Sequence, residues 1–391
     1  MALNDATSSA PLRVLAVVEW YPPAYKAGGP IRSVYNLIHL LNAQTSHPLE
    51  VVCGSRDLGD EEPLAGIVCD TPHDQDGVRV TYASSLSLAW WRAKLRGTAD
   101  APAPDVVYLN SLFSVPFALQ PLRAAREQGI RVVLAPRGML GAGALAIKPA
   151  KKTLFLMAAR LLGWFRHVRW HASTPVEHSE IRRHFPQAQV HVAMNVPLAP
   201  RECEAPPWES TRTWLMLGRI QQKKNLHFAL EALQDVDLKG KNVRIELVGP
   251  AEDEAYLQQL LDMARPGVDV VHRGALPPDQ LGAVWAKAHA LLMPTTHENF
   301  GHAVVEAWAH GRPVMLTDQT PWRGLQEAGL GWDLPLDKEA WRRGLSEALA
   351  WDQASWENLS RACVDKHRGL VEDASLVEDN RALFEAPWPS A

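Results

Sequence analysis

The sequence predicts an α/β protein built from two parallel-sheet domains. Two observations carry this reading. Apolar runs of strand length alternate with stretches of helical apolar spacing, the pattern of a parallel sheet layered with helices. The alternation breaks at a proline- and acid-rich segment and then restarts. A chain of 391 residues has room for two such units.

The first strand is RVLAVVEW, residues 13–20, near-continuously apolar as suits a strand buried on both faces. A loop with two glycines follows, then IRSVYNLIHLLNAQ, with apolar residues at helical spacing. Further strands are expected at 49–53, 78–82, 105–109, 131–135 and 190–193. PLAPRECEAPPWES, 197–210, reads as a linker. Beyond it, strands are expected at 213–220, 243–249, 268–274, 290–295 and 313–317. Helices are expected between them near 225–234, 253–264, 278–287 and 301–310, with a helical tail from 338. The expected division is an N-terminal domain 1–196, a linker 197–210, a C-terminal domain 211–370 and a tail 371–391.

Hydrophobic residues make up 47% and charged residues 21%, ordinary for a soluble globular protein. Forty basic against 44 acidic side chains leave a formal charge of -4, which argues against nucleic acid as a partner. Cys53, Cys69, Cys203 and Cys363 form no metal-like spacing and are expected to be reduced. No metal or cofactor is expected. The start, MALNDATSSAPL, lacks the basic and apolar regions of a secretion signal. The most apolar run, TLFLMAARLLGWF at 153–165, is shorter than the ~20 residues of a bilayer span and contains Arg160. The expectation is a cytoplasmic protein, at most in peripheral contact with the inner face of the plasma membrane.

The most informative stretch is TTHENFGHAVVEAWAHGRPV, 295–314. A strand ends near Pro294, a loop carries Glu298, Gly301 opens a helix, and Gly311 with Pro313 closes it. Free N–H groups at a helix start hold phosphate, and glycine lets the ligand approach. Glu306 lies more than a turn inside, on the face of His302. A carboxylate accepts two hydrogen bonds, which suits a vicinal diol such as ribose. The plainer alternative is two glutamates bonded to solvent. The second stretch, LGRIQQKKNL at 217–226, puts Arg219 at the C-terminal end of a strand, the ligand edge of an open parallel sheet. Arg219 and Lys224 there would stabilise a departing diphosphate, with Lys223 as the neighbouring alternative and a solvated basic turn as the plain one. The third, WYPPAYKAGGPIRSVYNL at 20–37, places Gly28 and Gly29 between strand and helix. It lacks GxGxxG, which counts against a dinucleotide oxidoreductase.

Together these stretches resemble the retaining family-4, or group 1, glycosyltransferases of the GT-B fold, which implies two doubly wound, Rossmann-like domains facing each other across a cleft. The likeness covers nearly the whole chain and is strongest over 213–333, where Glu298 and Glu306 reproduce the Glu-x7-Glu mark. PRGML at 136–140 and TPW at 320–322 are similar to a bacterial branch that builds surface polysaccharides. The resemblance implies that Glu298 contacts the donor sugar, Glu306 holds the ribose, and Arg219 and Lys224 bind the diphosphate. It implies backbone N–H groups of Asn299, Phe300 and Gly301 directed at sugar and phosphate, with Gly28 and Gly29 close to the phosphates. It also implies an N-terminal half that binds the acceptor, a C-terminal half that binds the nucleotide-sugar donor, and a last helix that crosses back onto the N-terminal domain. Members commonly retain anomeric configuration without a metal in the site. The chain departs from many relatives after RVVLA: where they carry a histidine that touches the donor sugar, it has Pro136, Arg137 and Gly138. The expectation is that Arg137 takes over that contact, although it cannot act as a base.

From Gln128 to Val176 there is no acid but eight Lys or Arg, including Lys148, Lys151 and Lys152 beside the apolar helix. That suits anionic lipid headgroups and a lipid-linked saccharide acceptor; the alternative is a core helix with lysines in water. Trp20 and Trp322 lie near the motif loops and are candidates to stack on sugar. His171 and His302 are candidate ligands, although a lone histidine is more often structural. Other readings are an epimerase or phosphorylase on the same fold and an inactive nucleotide-sugar-binding module.

Overall fold

The computed structural model describes residues 11–45, 47–99, 101–199, 205–208 and 210–388. Part of the expected linker, with Cys203, lies outside the described residues. The N-terminal half contains β1 (Val14–Val17), α1 (Gly29–Gln44), β2 (Leu49–Gly54), β3 (Pro72–Gln75), β4 (Val78–Ala83), α2 (Leu88–Arg96), β5 (Val106–Leu109) and α3 (Gln120–Glu127). It continues with β6 (Arg131–Leu134), α4 (Ala142–Leu145), α5 (Pro149–Leu161), β7 (Val168–Ala172), α6 (Pro175–His184) and β8 (Gln189–Val192). Its strands form one sheet, ordered β3-β4-β2-β1-β5-β6-β7-β8, parallel except for the β3–β4 hairpin.

The C-terminal half contains β9 (Thr211–Leu217), α7 (Leu226–Gln234), β10 (Asn242–Val248), α8 (Glu254–Leu261), β11 (Val268–His272), α9 (Pro278–Trp285) and β12 (Ala290–Met293). After these come α10 (His302–Ala309), β13 (Val314–Thr317), β14 (Gly331–Leu334), α11 (Lys338–Ala350), α12 (Gln353–Glu372) and α13 (Ala374–Glu385). Its all-parallel sheet runs β11-β10-β9-β12-β13-β14. Both sheets are doubly wound, with strand order reversing at β1/β5 and at β9/β12. Alternate strand residues feed opposite cores: Leu15, Val17 and Leu109 on one face of the first sheet, Val14, Ala16 and Tyr108 on the other. Leu215 and Leu291 against Trp214 and Leu292 do the same in the second.

The last helix, α13, leaves the C-terminal half and packs on α1. Leu376, Leu383 and Phe384 join the N-terminal core. Asn380 donates to Met194 O (3.0 Å), and Arg169 donates to Leu383 O (2.9 Å) and Ala386 O (2.8 Å) at its C-terminal end.

Three strands were not expected. β7 reads VRWHA, and its two ionisable side chains disguise a fully buried strand. Arg169 is spent on α13 carbonyls and His171 on Tyr108 and Ala193. β3 (PHDQ) is a polar edge strand, and β14 (GWDL) is short and half polar. The first strand also stops at Val17, short of Trp20. Among the described residues, no helix is long and apolar enough to cross a membrane.

Candidate functional site

In open parallel sheets, ligands bind beyond the carboxyl ends of the strands where the winding reverses. Here the two reversal points face each other. The chain leaving β9 carries Arg219, Lys223 and Lys224, and the chain leaving β12 carries Glu298 to Gly301. The chain leaving β1 carries Gly28 and Gly29, and the chain leaving β6 carries Arg137. All of these residues, with Glu306, line one cleft of ≈ 660 Å³ between the domains.

Two helix N-termini meet across it. Gly28 (φ 66°) precedes α1, and Gly301 (φ 82°) precedes α10; both conformations favour glycine. Neither helix start has a side-chain cap or an acid in its first turn, so no side chain of the helix itself offsets its partial positive charge. A Cβ on Gly29 would stand 3.1 Å from the His302 ring, which shows how closely the two starts approach. The loop before α1 is pinned by the Asp57 carboxylate, which accepts from the N–H of Tyr25 (2.8 Å) and Lys26 (3.2 Å). The loop before α10 is pinned by Glu298 N–H donating to Gln319 O (3.0 Å) and by Thr317 Oγ1 donating to Thr295 O (2.6 Å).

Lys224 Nζ donates to Glu298 Oε2 at 2.8 Å. Burial alone would raise the Glu298 carboxyl. The Lys224 ammonium, aided by Lys223 and the Asn299 N–H, outweighs it and holds the group at about 2. Burial lowers Lys223. Glu306 is buried; its Oε1 accepts from Trp285 Nε1 (3.2 Å) and lies 3.6 Å from Arg32 of the opposite domain. No described residue hydrogen-bonds its Oε2, leaving one carboxylate oxygen for a diol. Arg219 sits further out, paired with Glu252 at 2.7 Å.

Arg137 has an unusual left-handed backbone (φ 53°) and a fully directed guanidinium. It donates to Asn110 Oδ1 (2.8 Å), Asn195 Oδ1 and the Tyr108 hydroxyl (2.6 Å). That hydroxyl lies 2.7 Å from His171 Nδ1, and His171 Nε2 lies 2.9 Å from Ala193 O. Burial lowers His171 to about 3, so its ring is neutral, donates to Ala193 and accepts from Tyr108. His171 is therefore a support for Arg137 rather than a ligand. No carboxylate among the described residues pairs with Arg137.

The structure shows how the other expected residues are engaged. The Asn299 N–H is occupied by Glu298 Oε1 (3.2 Å), so it does not point freely at phosphate. The Asn299 side chain instead crosses the cleft to Ser173 Oγ (2.9 Å) and Glu177 Oε2 (3.2 Å). Phe300 is a buried anchor whose carbonyl accepts from Trp322 Nε1. Trp322 packs on Phe300 and Trp308 and so is structural. Trp20 packs beside Ala24, Ala27 and Ile31. His302 Nε2 lies 2.6 Å from Ser33 Oγ, and burial, then Arg137 and Arg32, lowers it to about 3. Of the three lysines grouped with the apolar helix, Lys148 and Lys151 are exposed, but Lys152 donates to Ala144 O.

Sequence reading missed Glu177, which accepts from Gly138 N–H (2.6 Å) and Ser173 N–H (2.8 Å). The signal was present: Glu177 is the first acid after the acid-free stretch and stands three residues after the Thr174 cap.

Residues 28–195 match the Glycosyl transferase 4-like domain and residues 204–329 match Glycosyl transferases group 1. The chain belongs to the group 1 glycosyltransferases. This group 1 chain is 26% identical over 309 residues to the GDP-mannose-dependent alpha-mannosyltransferase of Mycolicibacterium smegmatis, covering 71% of this chain and 76% of that one. It is 25% identical to the O-antigen chain mannosyltransferase B of Escherichia coli, over 45% of this chain and 51% of that one. Several relatives are matched over only 25% to 51% of their own length. Among solved structures, Anabaena HepE in complex with UDP and glucose superposes with a TM-score of 0.66 at 15% identity, over 96% of this chain and 98% of that one. The last likeness is one of fold: two parallel-sheet α/β domains in the GT-B arrangement.

Proposed function

We propose that this group 1 chain transfers a sugar from a UDP- or GDP-sugar donor to a hydroxyl of a saccharide or lipid-linked saccharide. We further propose that configuration is retained and that the work belongs to bacterial surface polysaccharide synthesis. The observation that carries the reading is the convergence of two uncapped helix starts, the Lys224–Glu298 pair and buried Glu306 on one interdomain cleft. The names of the Escherichia coli and Mycolicibacterium relatives support donor and setting.

In this reading Glu306 holds the ribose diol through Oε2. Lys224, Lys223 and Arg219, with the α1 and α10 starts, hold the diphosphate. As the glycosidic bond breaks, negative charge grows on the leaving phosphate. Fixed cations and N–H dipoles there lower the barrier without reorganising. Glu298, ionised and tethered to Lys224, presents a carboxylate to the donor sugar. Arg137 is held on three neutral acceptors, so it offers positive charge to a sugar oxygen but takes no proton. The leaving phosphate is then the group that accepts the acceptor's proton, from the same face it departs. The cations do the work that a metal does elsewhere, so saturating EDTA should leave the rate unchanged.

The test is transfer from a panel of UDP- and GDP-sugars to saccharide acceptors, with the product's anomeric configuration read by NMR. The expected result is an acceptor-dependent product of retained configuration. Donor epimerisation without acceptor, phosphorolysis, or binding without turnover would each reject the reading.

A further inference from the structure

Helix α5 has an unusual exterior. It buries only Leu156 and Ala159, and its inner side meets Phe113 and Trp164 through Phe155, with ring centroids at 5.2 and 5.6 Å. On the outer side Leu154, Met157 and Leu161 are 68%, 64% and 87% exposed. Their spacing of three and four residues places them on one stripe. Ile147 (53%) before the helix and Leu162 (63%) after it are further exposed apolar side chains. A contiguous apolar surface of this kind marks an interaction site rather than ordinary exposure.

The charge around the stripe selects the occupant. Lys148, Lys151, Arg160 and Arg166 are exposed, and no Asp or Glu occurs from 128 to 176. Lys152 plays a different part: its ammonium donates to Ala144 O (2.5 Å) and sits 5.2 Å from the Phe113 ring centroid, tying α5 to α4. The chain reaches α5 from the cleft wall: Gly141, just before α4, packs so closely on His297 that a Cβ would not fit.

We propose that the outer face of α5 is a docking surface for an anionic lipid bilayer. The helix lies in the plane of the membrane, with Leu154, Met157 and Leu161 in the headgroup–acyl boundary and the four cations among lipid phosphates. Docked this way, the α4–α5 segment that packs on His297 is held at the bilayer, where a hydroxyl carried on a lipid would be met. This surface does not depend on the transfer chemistry, since lipid binding is read without donor or acceptor.

The experiment is flotation of the full chain with phosphatidylcholine vesicles and with vesicles containing phosphatidylglycerol, at two salt concentrations. The expected result is binding to the anionic vesicles that weakens with salt and is slight on phosphatidylcholine alone. Met157→Glu/Leu161→Glu and Lys151→Glu/Arg160→Glu should each lower binding about tenfold or more. These side chains are solvent-exposed, so melting temperature and nucleotide binding should hold, which separates lost docking from lost folding. No flotation, or variants that float as well as the parent, would overturn the proposal. So would light scattering showing a dimer that Leu161→Glu splits, since the stripe would then serve self-association.

Discussion

Glu298 and Lys224 are 2.8 Å apart and partly shielded from water, and that fixes how the pair responds to pH. The folded-state value of about 2 lies below the ~4.3 of a free glutamate. The pair's stabilisation is therefore complete above pH ~4.3 and is lost as pH falls through 2. Glu298→Gln should flatten the stability curve in that acid window, measured by denaturant unfolding at stepped pH. It should also cut transfer by about 10²-fold or more, because charge aimed at the reacting centre is lost. Arg137 makes a second residue-scale prediction. Arg137→Ala should lower kcat/KM by a similar factor, and Arg137→Lys should not restore it, because a point charge cannot reach Asn110, Asn195 and Tyr108 at once. Near-normal activity in Arg137→Ala would remove it from the site. At this scale the sequence was legible where a residue's neighbours in the chain supply its meaning, as at Gly301 and Glu306. It was silent where the partner is remote, as for Arg32, 274 positions before Glu306.

At the scale of elements, the buried histidines matter most. His171 on β7 and His302 on α10 are both held near 3, against ~6.5 for a free histidine. Their neutral forms are favoured by folding, so stability is full above pH ~6.5 and falls as pH drops toward 3, by up to ~1.4 kcal/mol per pH unit for each. His302→Asn should remove about one proton from that slope, seen as a shallower change in unfolding free energy between pH 6 and 4. Helix α13 gives the other test. Phe384→Ala should cost about 3–5 kcal/mol, because a buried ring that meets Tyr108 edge-on leaves a cavity. An unchanged melting temperature would show that α13 is a loose tail. Sequence reading recovered most readily the strands dominated by apolar residues, such as LEVVC and ALLM. It lost β7 because Arg169 and His171 look like surface residues until α13 and Tyr108 are in place to pair with them.

At the scale of the molecule, and leaving aside α13 on the N-terminal core, few polar contacts among the described residues join the two domains. Asn299 reaches Ser173 and Glu177, His302 reaches Ser33, and Glu306 approaches Arg32. All are at the cleft, so on the proposed reading closure would assemble the site and exclude water together. Asn299→Ala should therefore raise hydrolysis of donor relative to transfer and expand the molecule in small-angle scattering, with little change in melting temperature. The two-domain plan and the cleft were legible because the strand–helix alternation restarts after the linker. The Asn299–Glu177 contact was not, since its two residues meet only when both domains are folded and facing.

The most direct measurement is calorimetric titration of the protein with UDP and GDP, repeated on Glu306→Ala. The account predicts saturable binding of at least one nucleotide, weakened tenfold or more in the variant, whose ribose diol has lost its acceptor. Absence of binding by either nucleotide at millimolar concentration, or equal affinity in Glu306→Ala, would contradict a nucleotide-sugar site in this cleft.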